Sequence, residues 1–406
     1  MRKANQELIW KSAEEKKVVV DFWPEALDIE VTSFCNLRCR MCPHTLLENK
    51  AAHHLNPQVI EQLQPYLRYC RKVALQGDGE PFLNPHIEKI ITDLRETGVK
   101  LYTTTNLSIM NERLANLINE AFDVVTISCD SCEKRLYELI RVNGNFDSFC
   151  SNLRLFKEHV KKPTLIMNCV MMRQNIHLAE DMVKFAKENH MDRLVFSALL
   201  TDKDLANRED SLEHYPGITE MYLSRAEARA KEIGLDLQIL WNYSLEAPCS
   251  LQQLQQEEAR RQQYEDIRSF TKEEQDAFVK RYRDLKIKKT INACGSGKYH
   301  CEGICGNLYG KSYIDAEGNV TLCCFGKIQT VGNILEQDFS DIWNGESYTA
   351  ARNAFFSGNL PHFCVGCKYA VSVQQEDCQP YPFRITDMDE DFMKDEVFWE
   401  NRVGGS

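Results

Sequence analysis

The sequence has no apolar run of about 18 residues and no stretch with the pattern of a secretory signal, so neither a membrane span nor export is expected. The compartment expected is the cytoplasm. It is also short of positive charge: 49 Lys and Arg stand against 60 Asp and Glu, a net charge of -11. Such a surface repels phosphate backbones and anionic lipid, which argues against nucleic acid or a membrane as partner. The bias of disordered, collagen-like or heptad-repeat chains is missing too, with 43% apolar and 27% charged residues. At 406 residues the chain has room for two or three domains of about 150 residues each. A core of that size needs no disulfide staples.

Against these absences stand 17 cysteines. In a reducing compartment they are not a disulfide framework, and their number points to metal. The short stretch Val18 to Trp23 is broken by Asp21 and followed by Pro24, so it reads as a strand or a lead-in segment.

From about Ala26 to Leu240, short β-rich runs alternate with amphipathic helical stretches, the pattern of βα units around a parallel sheet. The expected strands are 27–32, 72–76, 100–104, 123–128, 164–170 and 193–198, with helices such as 57–69, 85–97 and 178–189 between them. Six repeats fit a partial barrel, although a doubly wound open sheet shares the local pattern. Residues 251–289 carry no Gly or Pro and are rich in Gln, Glu, Arg and Lys, which predicts a helical connector or lid. A Cys- and Gly-rich region follows from Cys294 to Cys378, with a hairpin expected at 312–316 and 319–323 around Glu317-Gly318. The expected division is an N-terminal segment 1–25, an α/β partial (βα)6 barrel 26–240, a connector 241–293, a cysteine domain 294–378 and an acidic tail 379–406.

Cys35, Cys39 and Cys42 directly follow the first strand of the βα array. That places three thiols on one loop at the carboxyl end of the sheet, where α/β active sites lie. Three cysteines can hold three irons of a cubane cluster and leave the fourth open to an exogenous ligand. A zinc site with His44 as fourth ligand is the structural alternative. Asp78-Gly79-Glu80-Pro81 follows the second strand: glycine permits close backbone approach, and a carboxylate pairs with a cation.

This cysteine spacing resembles the signature of the radical S-adenosylmethionine (SAM) enzymes. The resemblance implies that Cys35, Cys39 and Cys42 bind a [4Fe-4S] cluster chelated by SAM, with Met41 against the adenine. It also implies that Gly79 and Glu80 belong to the motif whose glutamate accepts from the SAM ammonium; Asp78 stands where a glycine is frequent. Asn106, Ser128, Asp130 and Arg141, at or just beyond later strand ends, match positions that touch the SAM ribose or carboxylate. Their alternative reading is as caps and turn residues.

Towards the C-terminus, Cys305, Cys323, Cys364 and Cys367 are spaced around the expected hairpin and a final Cys-x-x-Cys. The arrangement resembles the SPASM/Twitch extension and implies one auxiliary [4Fe-4S] cluster on these four ligands. A zinc ribbon on the same ligands is the alternative. Cys294, Cys301, Cys324 and Cys378 fit a second auxiliary cluster poorly, while Cys70, Cys129, Cys132 and Cys150 read as small buried hydrophobes.

The resemblance further implies reductive cleavage of SAM to a 5′-deoxyadenosyl radical that removes a hydrogen atom from carbon, with flavodoxin or ferredoxin as the electron source. An auxiliary cluster with four cysteine ligands favours outer-sphere electron transfer, hence net oxidation. Asp202, Asp204 and His214 are candidate bases. If the outcome is epimerisation instead, Cys169 or Cys249 is the hydrogen donor. Cys35 lies early in the sequence, leaving little room ahead of the barrel for a peptide-recognition domain. A small polar substrate such as an aminocyclitol, sugar or nucleotide-sugar is therefore favoured, with a peptide as the alternative. A non-catalytic iron-sulfur or zinc protein is the reading from another class.

Overall fold

A computed structural model describes residues 1–46, 52–199, 210–240, 249–262, 299–300, 305–323, 330–357 and 371–372. Helix α1 (Arg2–Glu14) leads to β1 (Ala26–Ile29) and the short β2 (Arg38–Cys39). The chain then alternates α2 (Gln58–Leu67), β3 (Lys72–Leu75), α3 (Ile87–Arg95), β4 (Lys100–Thr105), α4 (Glu112–Ala121) and β5 (Val124–Ser128). It continues through α5 (Lys134–Ile140), β6 (Arg141–Val142), α6 (Phe146–His159), β7 (Thr164–Met171), α7 (Ala179–Glu188), β8 (Arg193–Ala198), α8 (Pro216–Ile233) and β9 (Asp236–Ile239). Strands β1, β3, β4, β5, β7, β8 and β9 lie side by side in that order, all parallel.

The period-2 alternation of each strand divides the layers. Leu27, Ile29, Leu75, Leu101, Ile127, Met167 and Phe196 are fully or almost fully buried in the main core under the helices. The opposite face lines the concave side of the sheet. The helices start where their sequences provide caps: Asn111 accepts from Leu114 N at 2.9 Å and Asn145 from Ser148 N at 2.8 Å. Helix α8 opens on Pro216 and ends at Gly234, whose φ of 64° is left-handed.

The parallel α/β barrel expected from the sequence is present, with two additions. Strand β9 is a seventh parallel strand; only four residues long and at best half-buried, it carries a weak apolar signal. Beyond the short β10 (Tyr299–His300) the expected C-terminal hairpin forms as β11 (Lys311–Ile314) and β12 (Asn319–Thr321), turning at Gly318 with φ 83°. It joins the barrel sheet, because β11 pairs in parallel with β1 and β13 (Thr330–Asn333) extends the same edge. The segment Val18 to Trp23 is a strap with no strand. Phe22 packs edge-on to Trp343, whose Nε1 donates to Phe22 O at 3.0 Å, and Arg352 donates to Val18 O at 3.0 Å. In the connector, α9 (Leu251–Gln262) confirms a helix over its first part; the remainder lies outside the described residues. No described helix is long and apolar enough to cross a membrane.

Candidate active site

The cysteine loop leaves β1 at the carboxyl edge of the sheet. Its middle is pinned by β2 pairing antiparallel with β6, which sets Cys39 opposite Arg141 and lets Arg40 N donate to Ile140 O at 2.9 Å. All three thiols are half-buried. Burial pushes the Cys39 thiol up to about 12 and the Cys42 thiol to about 11, and raises Cys35 as well. Binding iron as thiolates therefore expels protons. Among the described residues, no three His, Cys, Asp or Glu side chains gather closely enough to hold one metal ion. Three thiols carried on one loop are the donor set that a cubane cluster takes.

The turn after β3 packs tightly on this loop. A Cβ on Gly79 would lie 2.3 Å from Thr32 O and 2.5 Å from Phe34 O, both backbone atoms, so only glycine fits. Glu80 N donates to Phe34 O at 2.9 Å. The buried Glu80 carboxylate takes Thr105 Oγ1 at 2.7 Å and Phe82 N at 3.4 Å on Oε1, and Asn106 N at 2.7 Å on Oε2. Oε2 keeps an unused acceptor position. Burial pushes this carboxyl up to about 7. Asn106 in turn donates to Asn36 Oδ1 at 3.2 Å and lies 3.8 Å from Cys35 Sγ. Glu80, Asn106 and Cys35 thus form one connected chain from the turn to the cysteine loop.

Strand alternation brings Gln76, Tyr102, Thr104, Thr126, Ser128, Asn168 and Ser197 to the concave face, all partly exposed. Thr104 Oγ1 meets Gln76 Oε1 at 3.2 Å and Ser197 Oγ meets Asn168 Oδ1 at 2.6 Å. Beneath this polar belt Val124, Ile166 and Val195 form an apolar plug with Tyr102 and Leu240. Above it Met41 packs on a second cluster of Ile140, Met172 and Leu199.

Several sequence expectations need correction. Asp130 is fully buried, 2.8 Å from Arg141, and its Oδ1 accepts from Val170 N at 2.9 Å. It has no surface to offer a ribose, and Arg141 is held against it. Cys169 faces the helices, wholly buried with its Sγ 3.5 Å from Met171 Sδ, because odd-numbered residues of β7 point away from the concave face. It is not placed to deliver hydrogen to a substrate. Cys249 sits against the first turn of α8, where a Cβ on Gly217 would lie 2.7 Å from its Sγ. His214 is exposed. Cys70 and Cys129 are buried hydrophobes as expected. Cys305 and Cys323 flank the hairpin, with Asn307 Nδ2 at 3.4 Å from Cys323 Sγ. Cys364, Cys367, Cys294, Cys301, Cys324, Cys378, Asp202 and Asp204 lie outside the described residues.

Sequence reasoning missed Glu30. Its Oε2 accepts from Asp78 N at 2.9 Å and from Tyr313 OH at 2.9 Å, tying β1, the glycine turn and the hairpin together. The signal available was the alternation of β1, which sets Asp28 and Glu30 on the concave face.

A parallel barrel with three thiols on its first loop and a carboxylate turn beside them has the donor set of an iron-sulfur centre with one open position. Residues 29–186 match the Radical SAM superfamily, and residues 305–368 match the SPASM iron-sulfur cluster-binding domain. The chain belongs to the radical SAM enzymes and carries a C-terminal SPASM domain. It is 28% identical over 216 residues to a probable GTP 3′,8-cyclase of Sulfurisphaera tokodaii, covering 51% of this chain and 67% of the relative. A protein of the same name from Methanocaldococcus jannaschii is 24% identical over 40% of this chain and 55% of its own length. Among solved structures, Streptococcus suis SuiB bound to its precursor peptide SuiA superimposes with a TM-score of 0.57 at 16% identity, covering 87% of this chain and 71% of SuiB. The protein anSMEcpe with bound AdoMet gives 0.55 at 18% identity, covering 85% and 87%. These two likenesses concern the fold. Membership brings with it a [4Fe-4S] cluster, SAM and auxiliary iron-sulfur binding.

Proposed function

We propose that the protein abstracts a hydrogen atom from a small polar substrate, an aminocyclitol, sugar or nucleotide-sugar, and completes a net two-electron oxidation. The polar belt of Gln76, Thr104, Thr126, Asn168 and Ser197 carries this reading. Neutral hydroxyl and amide groups on a rigid sheet suit a substrate rich in hydroxyls, and the plug beneath them bounds its size. The relatives named as GTP 3′,8-cyclases, whose name specifies a nucleotide, support a small-molecule reading.

Cys35, Cys39 and Cys42 hold the cluster in this reading. Glu80 receives the SAM ammonium on the open side of Oε2, Gly79 allows close approach, and Asn106 keeps Cys35 and Glu80 in register. Ser128, on the concave face, is left as the ribose contact, and Met41 with its apolar neighbours receives the adenine. When bound, the cluster and SAM supply a carbon-centred radical. The barrel excludes water and fixes the substrate carbon. Cys305, Cys323, Cys364 and Cys367 would hold one auxiliary cluster, which would supply an acceptor for the second electron while a base takes the proton, and a one-electron protein such as flavodoxin or ferredoxin would be the reducing partner.

Anaerobic reconstitution followed by dithionite and SAM tests the reading, with 5′-deoxyadenosine and iron measured per chain. A panel of deuterated aminocyclitols, sugars and nucleotide-sugars then follows. About eight irons and deuterium transfer to 5′-deoxyadenosine with formation of a ketone are expected. Transfer only from peptides assigns the enzyme to peptide modification, and an inverted centre without oxidation assigns it to epimerisation.

A further inference from the structure

Arg141 lies directly across the strand pair from the cysteine loop. It is the cross-strand partner of Cys39, and directly opposed residues of an antiparallel pair share a face with Cβ atoms about 4.5–5.5 Å apart. The chain turns back immediately beyond β6: Gly144 N donates to Arg141 O at 2.7 Å, and a Cβ on Gly144 would lie at 2.7 Å from that oxygen. Asn143 takes a left-handed φ of 67° to make the turn. The backbone under Arg141 is thereby fixed.

Its side chain is 6% exposed and its Nη2 stands 2.8 Å from Asp130 Oδ2. Asp130 is held by Val170 N on its other oxygen and by Asn175 Nδ2 on its backbone carbonyl. The guanidinium Nε, buried beside the cysteine loop, has no partner among the described residues. A buried donor of that kind is rarely left unmade in a native fold. Once the cysteines bind iron, thiolate and sulfide sulfurs become the acceptors next to it.

We propose that Arg141 donates through Nε to the sulfur shell of the cluster on Cys35, Cys39 and Cys42, and that Asp130 holds the guanidinium there. The pair positions the cluster and sets how readily it is reduced. The proposal rests on the reading of those three cysteines as ligands. Hydrogen bonds and positive charge at cluster sulfur favour the reduced state. Asp130 offsets part of that charge from the far side.

The test is an EPR-monitored redox titration of the reconstituted full-length protein without SAM. The signal followed is the one lost in the Cys35→Ala, Cys39→Ala, Cys42→Ala triple variant. Arg141→Gln shifts its midpoint potential down, and Asp130→Asn, whose amide oxygen still accepts from Val170 N, shifts it up. SAM affinity of the oxidised protein changes less than about twofold in either variant. An unchanged potential, or shifts of the same sign, overturns the proposal. So does a loss of SAM affinity of tenfold or more in Arg141→Gln, which makes Arg141 a carboxylate clamp. If Arg141→Gln does not fold, the upward shift in Asp130→Asn decides. Full iron and an unaltered spectrum in the triple cysteine variant reject the ligand reading itself, separately from the role of Arg141.

Discussion

Tyr313 OH donates to Glu30 Oε2 at 2.9 Å across 283 residues of sequence, and the same oxygen accepts from Asp78 N. A phenol on the hairpin and the backbone of the glycine turn thus share one buried carboxylate oxygen. Hydrogen bonds to a charged group contribute about 1.5–3 kcal/mol. Tyr313→Phe removes one of them and loosens the turn. We expect SAM to bind several-fold more weakly to Tyr313→Phe by equilibrium dialysis, with iron content unchanged. Equal affinity in the variant excludes the coupling.

Gly79→Ala is a harsher change. The new methyl would lie at 2.3 Å and 2.5 Å from two backbone oxygens of the segment leading into Cys35, and neither can swing aside. SAM affinity is expected to fall at least tenfold, about 1.4 kcal/mol, again by equilibrium dialysis. Binding at wild-type strength contradicts the assigned packing.

Glu80 gives a pH signature. Burial raises its carboxyl from 4.5 to about 7, so the folded protein favours the protonated acid. Its contribution to stability is therefore full below about 4.5 and is lost as pH rises through about 7. A bound ammonium favours the carboxylate instead. SAM affinity should rise with pH through about 7, and Glu80→Gln should flatten that rise and weaken binding at the alkaline end. A pH-independent affinity in the wild type removes Glu80 from the ammonium site.

The triple alanine variant at Cys35, Cys39 and Cys42 is expected to retain about four irons and to lose SAM cleavage, measured by iron analysis and 5′-deoxyadenosine. Loss of all iron means that the C-terminal site does not load on its own.

Trp343 is fully buried against Phe22, Phe339 and Tyr348. Trp343→Ala removes these contacts and the bond to Phe22 O, costing about 3–5 kcal/mol. A calorimetric scan should show a clear fall in Tm, and an unchanged Tm refutes the strap's role.

The cysteine loop and the Gly79-Glu80 turn are legible in the sequence because their chemistry is local: the ligands sit within eight residues and the glycine beside its carboxylate. The strands under them are legible because helices cover one face and force apolar alternation. The errors arise where long-range geometry decides. Cys169 reads as a candidate donor until the register of β7 turns it towards the helices. Asp130 reads as a ligand until its burial against Arg141 removes the surface a ligand would need. The meeting of Glu30 and Tyr313 depends on β11 choosing the free edge of β1, which no local pattern encodes.

That choice of edge also has a consequence during synthesis. β1 begins at Ala26, yet its outer neighbour begins at Lys311. While the chain grows, one side of β1 presents unpaired backbone groups beside the cysteine loop, a template for mispairing with other nascent strands. Closure waits for the last quarter of the polypeptide to leave the ribosome. A premature stop before Lys311 therefore deprives the molecule of more than its auxiliary domain: it leaves an adhesive border on the part that holds the first cysteines, and the shortened product should accumulate in aggregates rather than persist as a smaller enzyme.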